Sequence, residues 1–256
     1  MARLPRLYAP RIPQLAHARF ARPLAAADAP APAASLDKIA AWLAEEAARS
    51  ARPPGAAPFR PAHPDAALPP PDTGTVAVHA WIVLPDQITV LATPGNAQAL
   101  PRLMQALGRR MGSGLLRTRV YAGRYHNALL EPGRWVLPAM LWVESQAVAG
   151  RQVAAATQWP WSSAAEHAGQ ATSAAYPTGW LLDHPDYWHE GDTPFARQAA
   201  WRKRLANGLP EAQSRQIEAA LHGQWALGEK IFLTHLGRLA SRRVSPAPRG
   251  RPRKAV

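Results

Sequence analysis

The chain has 256 residues, a formal net charge of +13, 47% hydrophobic residues, 27 prolines and no cysteine. That length supplies one sizeable domain or two small ones. The missing cysteines exclude disulfides, thiolate metal sites and a cysteine nucleophile. No apolar run of about 18 residues is present to cross a membrane, and no secretory signal is recognisable, so a cytoplasmic protein is expected.

The prolines are about twice the usual share, which assigns much of the chain to loops. In chain order, Ile12–Phe20 reads as a first strand. Leu36, Ile39, Ala40 and Leu43 recur at helical spacing behind Ser35, a suitable N-cap, so Ser35–Arg49 is predicted as an amphipathic helix. Ala51–Asp72 holds eight prolines and no periodicity, and reads as an extended insertion. Thr75–Val83 and Ile88–Thr93 are apolar, β-branched runs on either side of Pro85 and Asp86, the pattern of a hairpin. Leu100–Leu116 is predicted as a helix, with Leu103, Leu107 and Met111 on one face and Arg109 and Arg110 on another. Thr118–Leu130 alternates weakly and is read as holding a strand. Gly133–Ala149 reads as a buried helix with irregular first turns at Pro138.

The segment WPWSSAAEHAG closes the first domain. Residues 170–193 are loop-like. Pro194–Asn207, Glu211–Leu221 and Glu229–Ser241 follow as three short helices, with Pro210 and Gly228 at two of the boundaries. The expected fold class is α+β, an antiparallel sheet with helices on one face. The expected organisation is an α+β domain at 1–169 with its Pro-rich insert at 51–72, a linker at 170–193, a helical domain at 194–241 and a disordered basic tail at 242–256.

Charge is concentrated at the end. Between Gly237 and Val256 lie seven Lys or Arg residues and no acid, which points to a polyanionic partner. The run Arg249, Gly250, Arg251, Pro252, Arg253, Lys254 has the AT-hook pattern. Its Pro keeps the backbone extended, its Gly permits deep seating, and its arginines suit a narrow A·T-rich minor groove. The alternative is a solvated basic tail that meets phosphates without sequence choice. Glu211–Ser241 has two helices in tandem, but its connection HGQWALG exceeds the usual helix-turn-helix turn, and a plain helical bundle is favoured. Among nine histidines none shows His-x-His, HExxH or His-x3-His spacing. His63 and His79 read as solvated or core. Asp183, Asp186, Glu190 and Asp192 alternate with His184 and His189 in what reads as a solvated loop rather than a cation site. No small-molecule ligand is expected.

Six stretches, in this order, resemble REP-associated tyrosine transposases: MARLPRL, VHAWIVLPDQITVLATP, LMQALGRRM, YAGRYHNALLEP, LWVESQAVAG and WPWSS. The resemblance implies a ferredoxin-like core and single-strand DNA cleavage. In that chemistry two histidines and a third polar ligand hold a divalent ion such as Mg²⁺ or Mn²⁺, and a tyrosine attacks phosphorus. Gln87 and Thr89 stand at the two histidine positions, Trp142 at the tyrosine and Gln146 at the third ligand. An indole has no nucleophilic oxygen, and the other groups are weak neutral donors. The resemblance therefore implies a DNA-binding protein that has lost cleavage, with no cofactor of its own. Arg109, Arg110, Gly123 and Arg124 match basic positions expected to face DNA, either palindromic hairpins or A·T-rich duplex, on the nucleoid. Two alternatives stay open: an active transposase using other groups, and a basic scaffold for RNA or acidic proteins. Tyr121 and Tyr125 lie near enough in sequence to weigh as substitute nucleophiles, and Tyr121 matches a packing aromatic.

Overall fold

Pro85 and Asp86 turn the chain between two apolar runs, β2 (Val76–Leu84) and β3 (Gln87–Pro94), which pair antiparallel from Leu84↔Gln87 outward. The computed structural model describes residues 5–24, 32–51, 68–116, 119–170, 180–240 and 242–246. Before the hairpin come β1 (Gln14–Arg19) and α1 (Pro32–Ser50), and after it α2 (Ala99–Met111) and β4 (His126–Leu129). β1 pairs antiparallel with both β3 and β4, giving the sheet order β2-β3-β1-β4. A β-α-β-β-α-β chain in that order is the ferredoxin-like split βαβ arrangement. The expected α+β class holds.

Crossovers of one hand place both helices of such a unit on the same face, and α1 and α2 pack on each other and on β2. The second face is covered too. Every residue of β2 and all but the first of β3 are buried, which one covered face cannot produce. α3 (Val136–Glu144) lies on β2 and β3, and α8 (Glu211–Gly223) on β4 and β1. The helices are thus not confined to one side as expected. The reason is legible in α3: a helix this uniformly apolar has no polar side to give to water.

Two predicted helices end differently. α2 stops at Met111 and Gly112–Leu116 winds on as a wider π-type turn. Gly112 and Gly114 are poor helix formers, and the Ser113 hydroxyl takes the Arg109 and Arg110 carbonyls. The helix over 133–149 breaks at Ser145 into α3 and α4 (Gln146–Ala149). Short helices α5 (Ala164–His167) and α6 (Pro185–Trp188) precede α7 (Pro194–Asn207), and α9 (Lys230–Leu239) ends the helical series.

The later segments are built into the sheet's surroundings. Trp161, Ser162 and Ser163 lie along β2, where Val83 N–H donates to Trp161 and Ser163 N–H to Trp81. Leu181 bridges Val78 on the same edge, and Trp180 and Tyr187 are buried, so 180–188 is packed rather than a loose linker. Leu227 bridges Leu130 beyond β4. Irregular chain thus covers both sheet edges, which blunts edge-to-edge pairing. Trp201, Ile217 and Leu221 share the main apolar cluster with the sheet. The expected disordered tail also begins too early: Val244 is buried with Leu7 and Leu236, and its carbonyl accepts Ala226 N–H. Among the described residues no helix is long and apolar enough to cross a membrane.

Candidate functional site

Gln87 and Thr89 are two residues apart on β3, so their side chains leave the same face. That face meets Gln146, the first residue of α4. Gln87 Nε2 donates to Gln146 Oε1 at 2.7 Å, and Gln146 Nε2 to Thr89 Oγ1 at 3.3 Å. His17, paired with Thr89 across β1 and β3, places Nδ1 3.0 Å from the same hydroxyl. Trp142 lies one turn before Gln146 and donates Nε1–H to Glu218 of α8 at 3.3 Å. His17, Gln87, Trp142, Gln146 and Glu218 line one cavity of about 1040 Å³ between the sheet, α4 and α8, with Thr89 fully buried behind them.

The geometry brings Gln87, Thr89 and Gln146 together with His17 as a self-satisfied hydrogen-bond network, and Trp142 stands beside it bonded to Glu218. The network's own groups are two amides, a buried hydroxyl and an imidazole; the carboxylates of Asp86 and Glu218 lie elsewhere on the cavity lining. Hard divalent ions favour oxygen ligands led by carboxylates. Among the described residues no group of three or more His, Cys, Asp or Glu side chains could hold a metal ion. The residues present do not fit the divalent ion that the resemblance implies.

Burial, reinforced by His126, His222 and Arg19 against the pull of Asp86, lowers the His17 pKa to about 4. His126 is also lowered, by burial and then by His222, whose ring lies 6.1 Å away at 90°. Sequence spacing concealed this histidine group. His17 and His126 meet only because β1 pairs with β4, and His222 arrives on α8.

A second cavity, of about 490 Å³, lies between α2 and the irregular segment leading into β4. Arg6, Arg109, Arg119 and Arg124 line it with Tyr121 and Tyr125, and its lining contains no carboxylate. Tyr121 packs onto α2 at Gly108, where an added Cβ would come 2.7 Å from Tyr121 Cε2, and its hydroxyl donates to the Met104 carbonyl. Arg119 is held by the carbonyls of Tyr121 and Ala122. The Arg6 guanidinium sits 3.8 Å over the Tyr125 ring, a cation–π contact. Arg109 and Arg124 share this cleft.

Arg110 does not. Neighbouring helical residues diverge by 100°, and Arg110 reaches α1, where it donates to Glu45 at 2.6 Å and to Glu46 at 3.4 Å. Arg6 was missed in the sequence because nothing local marks it. The cleft unites an N-terminal segment with residues 95 to 119 positions later.

Glu144 is the other residue that sequence reading passed over. It is fully buried, and it accepts from Ser163 Oγ at 2.6 Å, His167 Nδ1 at 2.5 Å and Trp201 Nε1 at 2.7 Å. Burial pushes the His167 imidazolium down, yet the charge and hydrogen bond of Glu144, with Asp183 and Glu166 adding, leave its pKa raised. This node ties α3 to α5 and α7 two residues from both Trp142 and Gln146. The 183–192 segment, expected as a solvated loop, holds α6, and two of its acids are engaged internally: Asp186 accepts Gly133 N–H at 2.7 Å and Glu190 pairs with Arg204. His79 is a buried core histidine bonded to Thr93 and the Leu182 carbonyl. His63 and the Arg249–Lys254 motif lie outside the described residues.

No protein-family model and no curated protein matches the chain. Among solved structures it is similar to a REP-associated tyrosine transposase bound to a REP hairpin, at 13% identity and a TM-score of 0.45, over 72% of this chain and 93% of that one. That is a distant structural relation.

Proposed function

We propose that this chain is a transposase-like DNA-binding protein that holds DNA in the arginine cleft and does not cut it at the Gln87–Thr89–Gln146–Trp142 pocket. The observation that carries the reading is the cleft itself. Four guanidiniums line one concavity without a carboxylate, and phosphate backbones are bound by such clustered cations. The pocket supports the second half: an indole stands where the resemblance places a nucleophile, and neutral groups stand where it places metal ligands. The Arg249–Lys254 tail adds minor-groove contact, and a palindromic hairpin is the preferred target.

The test is a titration of the full chain with a hairpin, a blunt duplex and a single strand of matched composition at several salt concentrations. The hairpin binds tightest, and Arg109→Ala and Arg124→Ala each reduce the salt slope by about one. Equal, salt-sensitive binding to all three probes overturns hairpin preference. Unchanged binding by both variants overturns the cleft. A covalent adduct with labelled single strand and Mg²⁺ or Mn²⁺ on a denaturing gel overturns the loss of cleavage.

A further inference from the structure

We infer that the outward face of α9 is a docking surface for duplex DNA, seated in the major groove of a hairpin stem. The inference deepens the DNA-binding reading by adding a second surface and the groove it fits, and it stands on residues outside the arginine cleft.

α9 is a peripheral helix. Leu236 is its one buried residue, set with Leu7, Leu129 and Val244 in the smaller apolar cluster. Positions three and four apart share a helix face. Ile231, Thr234, His235 and Arg238 therefore form one strip on the side away from Leu236, with Lys230 at its edge, and all five are exposed. Among the described residues three large apolar side chains are exposed, and two of them, Ile231 at 83% and Leu239 at 52%, belong to this helix.

Charge selects the partner. From Lys230 to Val256 the sequence carries eight Lys or Arg residues and no acid. The side chains of Lys230, Arg238 and Arg243 make no ion pair with any described residue. The acids at the start of α9 are engaged, Glu229 with Arg134 at 2.5 Å and Glu131 as acceptor of Glu229 N–H. Unpaired cations suit phosphates, and an exposed Ile between them suits the C5-methyl of thymine, which lies in the major groove. That groove is about 12 Å wide and admits a helix of about 10–12 Å diameter. The deep, narrow groove of duplex RNA does not.

α9 acts as a lone helix rather than as half of a helix-turn-helix. α8 is spent elsewhere, with Ile217 and Leu221 in the main core and Glu218 on Trp142. Leu7 beneath α9 directly follows Arg6 of the cleft, so the two surfaces are neighbours. A hairpin offers both of them a ligand, its stem to α9 and its strand to the cleft.

The experiment titrates the full chain by anisotropy with an A·T-containing duplex and with three relatives of it. One carries uracil for thymine, one carries glucosylated hydroxymethylcytosine, which fills the major groove, and one is the single strand. The glucosylated duplex binds about tenfold weaker than the plain one, and Arg238→Ala weakens plain-duplex binding by a similar factor. Uracil costs about fourfold, the worth of one buried methyl, and Ile231→Ala removes that difference. Phe195→Ala, an exposed apolar truncation on α7, leaves duplex affinity unchanged.

A glucosylated duplex bound as tightly as the plain one, or unchanged duplex affinity in Arg238→Ala, overturns the α9 surface, while the cleft still stands on Arg109 and Arg124. If Ile231→Ala instead alters sedimentation of the free chain, the face is a contact between copies and the inference fails. If Arg238→Ala weakens duplex binding while Arg109→Ala and Arg124→Ala do not, the cleft fails and α9 stands.

Discussion

Glu144→Ala is the perturbation with the largest expected effect on the frame that holds the pocket. The carboxylate is fully buried and accepts three hydrogen bonds, from Ser163, His167 and Trp201. Removing it strands a buried imidazolium and two donors. Breaking a buried pair by deleting one partner costs about 3–5 kcal/mol. For a chain of this size each kcal/mol is roughly 2–4 °C in Tm, so Glu144→Ala lowers Tm by roughly 6–20 °C. Glu144→Gln keeps the volume and part of the bonding but loses the charge, and falls between.

The pair also has a pH signature. His167 has its pKa raised in the folded state, so the folded state binds the proton more tightly than the unfolded one. The resulting stability is fully present below about pH 6.5, the ordinary histidine value, and is lost as pH rises through the raised value. Thermal melts at several pH values between 6 and 10 follow this loss in the wild type, and Glu144→Gln abolishes it. A Glu144→Ala protein melting within about 2 °C of the wild type refutes the reasoning, because it requires the three donors to be satisfied without the carboxylate.

Three further outcomes are expected. Arg109→Ala and Arg124→Ala weaken DNA binding and flatten its salt dependence, whereas Arg110→Ala leaves binding alone and costs at most about 1 kcal/mol, since its ion pairs are partly exposed; anisotropy and melting separate these effects. His17, lowered to about 4, has the opposite sign to His167: the unfolded chain takes up its proton first, so stability falls as pH drops from about 6.5 to 4, by up to about 3 kcal/mol. His17→Gln flattens that limb in urea unfolding, and an identical acid limb in the variant refutes the assignment. Gly108→Ala drives a Cβ to 2.7 Å from the Tyr121 ring and lowers stability by about 1–3 kcal/mol, with a measurable loss of cleft affinity in the same titration.

Much of the fold was legible because it rests on local chemistry. The hairpin followed from β-branched runs about Pro85 and Asp86, and the starts of α7, α8 and α9 from Pro194, Pro210 and Gly228. The sheet order was not legible in that way, since β1 enters between β3 and β4 through contacts distant in sequence. The same distinction governs the sites. Gln87, Thr89, Trp142 and Gln146 were found through motif order, and they do converge. Arg110 was misdirected because sequence adjacency to Arg109 says nothing about which way each points. Glu144 carried a visible signal, one acid in the apolar run LWVES, but its partners lie 19, 23 and 57 positions away. Tyr125 and Arg6 share a cleft only once β4 is in place.

Val244 deserves a mechanical reading. Its burial beneath α9 and its bond to Ala226 clamp the chain just before the last basic run. The Arg249–Lys254 run ends eight residues after Pro246. Fully extended, that stretch reaches at most about 29 Å, just short of one turn of duplex, or about ten base pairs. The clamp therefore makes the run a short leash from a fixed peg. On the proposed DNA-binding reading, any groove the run enters would belong to DNA already held near the body of the molecule. A second contact within that radius would form at a local concentration in the millimolar range, so weak contacts there would suffice to add to the binding of the core.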